Sequence, residues 1–171
     1  MALIIEDGSV VPNANSFVTV ADARIRAAIY GLTLPALEAD AEATLITGAM
    51  WIKQQELQLQ GARIDATQTL SYPRTPVYLY AFLQDSDFIP QELIDSQVIA
   101  AVEQGSAGGV LSFTSQTNNI KREKLDGVGE QEYYSGGKST QLSSTMLLAF
   151  STLEPLTDQT SGGGLCLVRG C

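Results

Sequence analysis

Histidine is absent from all 171 residues, and with it goes the side chain that most often serves as a general base near neutral pH. Cysteine is nearly absent: only Cys166 and Cys171 occur. Two thiols close together in sequence make no disulfide framework, and without histidine they lack the usual companions of a zinc site. Free thiols in a reducing cytoplasm are the expectation. No run approaches the roughly 20 apolar residues that span a bilayer, so no membrane partner is expected. The stretch Met1-Ala2-Leu3-Ile4-Ile5-Glu6-Asp7 has no basic region and turns acidic at once, which argues against a signal peptide. Positive charge is scarce as well, with 10 Lys and Arg against 19 Asp and Glu and a net charge of −9. That balance opposes general affinity for a polyanion, which needs clustered cations, although it leaves room for a local basic patch. It fits a surface that lets DNA pass without sticking, or one that only stays soluble.

What is present is enough for one domain with a real core: 44% of the residues are hydrophobic. Four segments carry helical periodicity. The first covers residues 20–30, with Thr19 as N-cap, Asp22 completing a capping box and Gly31 as the stop. Its apolar stripe is Ala21, Ile25, Ala28 and Ile29. The second covers 37–57, opens on Glu38, Asp40 and Glu42 where the helix dipole favours negative charge, and offers Leu45, Ile46, Ala49, Met50 and Ile52 as its buried face. The third opens at Ile89-Pro90, runs to Gly105 and carries Ile94, Val98, Ala101 and Val102 as a stripe. The fourth covers 140–153, with Ser139 or Thr140 as cap, Leu142, Met146, Ala149, Phe150 and Leu153 facing inward, and Pro155 as its stop.

Between these segments the chain reads differently. Residues 61–88 form a long connector containing Tyr72-Pro73-Arg74-Thr75-Pro76, an extended or turn sequence. A connector of that length is usually functional or tightly packed. Two strand-like arms flank Asp126-Gly127-Val128-Gly129, which reads as a β-hairpin over about 118–135. Residues 157–171, with Gly162-Gly163-Gly164, lack periodicity and read as a mobile tail. The fold class expected is therefore mainly α: a small bundle of about four helices over residues 1–156, with a protruding hairpin, a long connector loop and a flexible C-terminal tail.

Catalytic chemistry finds no footing in this pattern. Ser135-Gly136-Gly137-Lys138-Ser139-Thr140 ends like a phosphate-binding loop but lacks the preceding strand and the first-glycine spacing. Asp85 and Asp87 flank Ser86 in a polar stretch and read as a solvated turn rather than an acid–base or metal pair. We expect no enzyme activity, no metal and no cofactor.

Three constellations are candidates for binding. Lys121-Arg122-Glu123-Lys124 is the one dense basic run; on a strand its side chains alternate between two faces. It reads equally as a contact for phosphate or an acidic neighbour and as a solvated hairpin arm. Tyr72-Pro73-Arg74 can anchor a protein contact through Tyr72 and Arg74. The favoured reading is the structural one, in which Tyr72 covers the core while Arg74 pairs with a helix C-terminus. The tail, with Leu165, Leu167 and Val168 beside Arg169, can order against a partner or be inert.

Five segments follow one another along the chain in a set order: Asn13-Ala14-Asn15-Ser16-Phe17-Val18-Thr19 before a short Ala-rich helix ending at Gly31, then Met50-Trp51-Ile52, Leu70-Ser71-Tyr72-Pro73-Arg74, Ile89-Pro90 and Ile120-Lys121-Arg122-Glu123-Lys124. In that order and spacing they resemble tailed-bacteriophage head-tail connector (adaptor) proteins, a group often labelled DnaT-like single-stranded-DNA-binding proteins. The resemblance implies a virion protein of the head-tail junction, assembled in the host cytoplasm. It implies a closed ring, a dodecamer in such families, that binds a portal protein on one side and a stopper or tail-completion protein on the other. DNA would pass through the ring without sequence-specific binding. Portal docking would fall on Glu154, Pro155 and Leu156 and on Leu165, Leu167, Val168 and Arg169. Contacts with neighbouring subunits or the next ring would fall on Lys121, Arg122, Lys124, Asp126, Gly127, Tyr133 and Tyr134, with Tyr72 and Arg74 as further candidates. The Cys-bearing terminus from Leu165 to Cys171 matches no pattern of that group. The alternative is a replication accessory protein that binds single-stranded DNA, stacking bases on Tyr133 and Tyr134 beside Lys121, Arg122 and Lys124.

Overall fold

In a computed structural model, which describes residues 2–106 and 142–158, the chain forms four helices and two short antiparallel hairpins and is mainly helical. The first helix, α1 (Val20–Ile29), starts where the capping signal puts it. The Thr19 hydroxyl accepts from Asp22 N–H at 3.2 Å and donates to the Asp22 carboxylate at 2.8 Å. Gly31 follows with φ +68°. Its buried face, however, is Val20, Ala23 and Ala27, while Ile25 and Ile29 are 66% and 73% exposed. The expected stripe of Ala21, Ile25, Ala28 and Ile29 points to solvent. The reason is close approach: small residues on α1 meet Val98 and Ala101 in one tightly packed cluster, where an isoleucine would hold the helices apart.

The second helix, α2 (Glu38–Gln54), carries Glu38 and Asp40 in its first turn and gives way to a 3-10 turn at Glu56–Gln58. Leu45, Ala49 and Ile52 are buried as expected, together with Trp51 and Gly48, whereas Met50 is exposed and Ile46 only half-buried. Trp51 packs edge-on against Phe150, ring centroids 5.0 Å apart. Helix α3 (Gln91–Ser106) is the central element and packs against α1, α2 and α4. Its stripe is correspondingly wider than Ile94, Val98, Ala101 and Val102. Leu93, Asp95, Ser96, Gln97, Ile99 and Ala100 are buried too, and Ile94 is half-buried. The fully buried Gln97 amide donates to Ser16 Oγ and to the Leu45 carbonyl, both at 2.9 Å, and accepts from Phe17 N–H at 3.0 Å. Helix α4 (Ser144–Leu153) begins later than expected, capped by Ser143, whose hydroxyl accepts from Met146 N–H. Met146, Ala149 and Leu153 face inward as the periodicity predicts, and Pro155 sits in a 3-10 turn, Glu154–Leu156, that ends the helix.

Residues 61–88 are not a loop. They hold β1 (Ala62–Arg63) paired with β2 (Arg74–Thr75), and β3 (Tyr78–Leu79) paired with β4 (Phe82–Leu83). The folded unit also reaches past residue 156: Asp158 N–H donates to the Gln58 carbonyl at 2.7 Å, and Thr157 bridges to Leu59. The N-terminal stretch is held by Glu6, which is 2% exposed; its carboxylate accepts from the N–H groups of Gly8, Val10 and Val11, each at 3.0 Å. The expected hairpin around 118–135, the candidate caps Ser139 and Thr140, the phosphate-loop-like run ending at Lys138, and the tail from residue 159 lie outside the described residues.

Gly48 marks where α2 crosses α3 most closely. A β-carbon there would lie 2.5 Å from the Gln97 carbonyl oxygen and 3.2 Å from the Ala101 side chain. Alanine is favoured over glycine inside a helix by about 1 kcal/mol, but overpacking a core against backbone costs about 1–3 kcal/mol. The clash should win. We predict that Gly48→Ala lowers the free energy of unfolding in urea by about 1–2 kcal/mol. An unchanged or raised denaturation midpoint would mean the crossing is looser than described.

Candidate interaction surface

The feature that stands away from the core is the β3–β4 hairpin. Tyr78, Tyr80, Phe82 and Leu83 are 51%, 70%, 74% and 60% exposed, and only Leu79 turns inward. Its two turn residues, Tyr80 and Ala81, have φ of 51° and 70°. Asn and Gly are the usual residues there, and an L-residue in this region gives up roughly 1–2 kcal/mol. The hairpin is fastened at its base: the Gln60 side-chain oxygen accepts from Tyr78 N–H at 2.9 Å, while its amide donates to the carbonyls of Pro155 and Thr157. The Gln84 N–H donates to the Val77 carbonyl at 2.9 Å.

Beneath it, Arg74 is a buried organiser. Its guanidinium donates to the carbonyls of Gln60 at 2.8 Å, Gly61 at 2.6 Å and Ser71 at 3.4 Å, and to Glu56 at 3.3 Å. Glu56 also receives the Arg63 guanidinium. This hydrogen bond from Arg63, with the two positive charges, holds the Glu56 carboxyl below its ordinary range despite partial burial. Tyr72 is 1% exposed, and burial pushes its phenol well above the usual tyrosine range. Its hydroxyl has no hydrogen-bonding partner among the described residues. Tyr72 and Arg74 are therefore corrected as subunit-contact candidates: neither side chain reaches the surface. Tyr72 fills the core, and Arg74 satisfies carbonyls just past the end of α2.

Tyr80 also edges a cleft of about 370 Å³ whose other walls are Tyr30 at the end of α1, Gln91, Glu92 and Asp95 at the start of α3, and Ser151, Thr152 and Pro155 at the end of α4. The Tyr80 hydroxyl donates to Glu92 at 3.1 Å, and Tyr30 donates to Asp95 at 3.1 Å. Asp95 pairs with Arg26 at 2.6 Å. Both phenols are raised, Tyr80 by its bond to Glu92 and Tyr30 first by burial and then by Asp95.

Charge is distributed unevenly. The described residues hold fifteen Asp and Glu against five Lys and Arg, and all five cations are engaged. Arg24 meets Glu38 and the carbonyls of Pro35 and Ala36; Arg26 meets Asp95; Lys53 donates to the Thr69 carbonyl; Arg63 and Arg74 share Glu56. Asp85 and Asp87 are both exposed in a turn closed by Phe88 N–H on the Asp85 carbonyl. Among the described residues no group of three or more His, Cys, Asp or Glu is placed to hold a metal, and no helix is long and apolar enough to cross a membrane.

Of the portal-docking candidates, Glu154 is exposed and Pro155 half-buried, but Leu156 is fully buried in the core and is withdrawn as a docking residue. Leu165, Leu167, Val168 and Arg169 lie outside the described residues, as do Lys121, Arg122, Lys124, Asp126, Gly127, Tyr133 and Tyr134. The hairpin aromatics Tyr78, Tyr80 and Phe82 went unread in the sequence. Their alternation with Leu79 is too short to register as a strand, although three aromatics in five residues of a polar connector were a visible signal.

Fold and surface together define a mainly helical protein that offers an exposed aromatic hairpin beside an acidic cleft. The chain belongs to the family described as "Putative DnaT-like ssDNA binding protein", whose model matches residues 1–170. No curated protein and no solved structure matches it.

Two titrations follow from the buried polar groups. The folded-state value of Glu56 is depressed, so its contribution to stability is present above the ordinary glutamate value of 4.5 and is lost as pH falls through the folded value. Glu56→Gln should cost about 1–3 kcal/mol at neutral pH and flatten the acid limb of a stability–pH curve; an unchanged acid limb would refute the assignment. Tyr72 is raised, so its contribution is complete below 10 and declines as pH climbs past it. Tyr72→Phe should leave neutral-pH stability within about 1 kcal/mol, because an unpaired hydroxyl is removed, and should blunt the alkaline loss seen by circular dichroism.

Proposed function

We propose that the chain is a non-enzymatic assembly subunit whose partners are proteins: a structural head-tail connector of a tailed bacteriophage. It forms a ring below the portal, joins the capsid to a stopper or tail protein and lets the genome pass. The observation that carries the protein-binding part is the state of its cations. Every described Lys and Arg is spent on an internal partner, while the described residues hold fifteen Asp and Glu, most of them at the surface, and an exposed aromatic hairpin. Such a surface repels a phosphate backbone and accepts apolar or basic protein groups. The connector part rests on the order and spacing of the segments that resemble adaptor proteins.

A second reading has its own support. The family description names single-stranded-DNA binding and no connector, and it therefore favours a DNA-binding accessory role. Exposed Tyr78, Tyr80 and Phe82 offer faces on which bases can stack. What that reading needs is free cations, and the remaining ones, Lys121, Arg122, Lys124, Lys138 and Arg169, all lie outside the described residues.

One pair of measurements separates the two. Native mass spectrometry and negative-stain imaging of the full chain mixed with a portal protein from the same virus should show a ring-shaped complex. A chain that stays monomeric beside an intact portal ring would end the connector reading. Fluorescence anisotropy with a labelled oligo-dT at low salt should show no submicromolar binding. Tight binding that falls steeply with added salt, and that is abolished by Lys121→Ala/Arg122→Ala/Lys124→Ala, would establish the second reading instead.

A further inference from the structure

We propose that the cleft between the β3–β4 turn and the ends of α1, α3 and α4 is a docking site for a guanidinium or ammonium side chain of a partner protein, with apolar residues beside that cation resting on the hairpin. The inference deepens the protein-binding reading by naming the chemistry of the partner; it does not depend on ring formation or on a portal.

Three features of the cleft point the same way. Its volume of about 370 Å³ admits the head and part of the stem of an arginine or lysine, but no folded element. Its ionic lining is negative and only half compensated. Arg26 neutralises Asp95 from the α1 side, whereas Glu92 receives a phenol hydroxyl from Tyr80 and no cation among the described residues. A guanidinium entering here meets a carboxylate that has no cationic partner among the described residues. Tyr30 and Tyr80 both line the cleft, and aromatic rings attract a cation through their quadrupole.

The rim selects among sources of that cation. The fifteen Asp and Glu against five Lys and Arg among the described residues, with Asp85 and Asp87 exposed just after the hairpin in sequence, oppose an acidic peptide or a nucleic acid. Tyr78, Phe82 and Leu83 lie beside Tyr80 and stay largely exposed on the isolated chain. A free small cation would fill the cleft and leave them wet. A chain segment with an apolar residue next to its basic one covers both, so the apolar rim and the acidic cleft are satisfied together by a protein.

The test uses the full chain, isotopically labelled, and two probes: acetyl-Leu-Leu-Arg-Leu-amide and acetyl-arginine amide. Amide shift changes on adding the tetrapeptide should concentrate at Tyr30, Tyr80, Glu92 and Asp95, and acetyl-arginine amide should bind at least about tenfold more weakly. Glu92→Gln should weaken the tetrapeptide about tenfold or more, while Asp40→Asn, which removes an equal charge on α2, should not. Phe82→Ser, at an exposed position that folding does not need, should weaken the tetrapeptide and leave acetyl-arginine amide unaffected. Shift changes away from the cleft, or equal loss with Asp40→Asn, would overturn the site. Equal affinity for the two probes would overturn the protein partner and leave a small-cation site.

Discussion

The packing of this chain depends on one buried amide. Gln97 sits mid-way along α3 with no exposure, and its side chain meets three separate parts of the structure: Ser16 Oγ, the Leu45 carbonyl inside α2, and Phe17 N–H. A polar side chain placed there without partners would cost several kcal/mol. With them it fixes the N-terminal segment and α2 to the same turn of α3. The Gly48 crossing is part of the same arrangement, since α2 must come close enough for its Leu45 carbonyl to be reached. Direction comes from this network, because apolar contacts alone would tolerate a slide of one helix along another.

Once α3 is held centrally, the remaining surfaces follow. It is covered by α2 on one side, α4 on another and α1 on a third, which is why nearly every residue from Leu93 to Val102 is buried. Its first residues, Gln91 and Glu92, emerge, and beside them the carboxylates of Glu92 and the buried Asp95 meet Tyr80 and Tyr30. The cleft therefore results from where the central helix begins. Gln60 and Arg74 extend the same logic outward. The Gln60 side chain ties the β3–β4 hairpin to the segment after α4, and Arg74, on β2, reaches Glu56 in the 3-10 turn after α2 and the carbonyls of Gln60 and Gly61.

The helices were legible in the sequence because their ends are chemically marked. Thr19 with Asp22, Pro90 before Gln91, and Pro155 after Leu153 each carry a local reason for a helix to start or stop. Facing was less legible. On α1 two stripes satisfy the same period, and hydrophobic size favours Ile25 and Ile29, whereas close packing on α3 selects Ala23 and Ala27. On α3 a stripe was expected where the helix is enclosed. In the connector, strands of two residues leave no periodic trace, and the Tyr80-Ala81 turn lacks the Asn or Gly that would announce it. The candidate site was least legible of all. Tyr72 and Arg74 are buried, as the favoured structural reading of that turn has it and against their candidacy as contact residues, while Tyr78, Tyr80 and Phe82, which went unread, are the presented residues.

The location of charge bears most directly on function. The net −9 of the whole chain conceals a division. The described residues carry three acidic groups for every basic one, whereas residues 107–141 hold four of each, and Arg169 is the one charged residue after 158. Half of the cations thus lie outside the described fold, and the half inside it are committed to carboxylates or carbonyls. An Arg with a buried or half-buried partner is not free to meet phosphate without leaving that partner exposed to the cost of an unpaired charge. The described part therefore offers a phosphate backbone no cation that is not already engaged. The family description and the acidic fold are compatible on one condition, that any grip on single-stranded DNA belongs to the segment containing Lys121, Arg122 and Lys124. In that case the helical unit contributes at most its exposed aromatic faces, Tyr78, Tyr80 and Phe82, and the charge that meets phosphate comes from elsewhere in the chain.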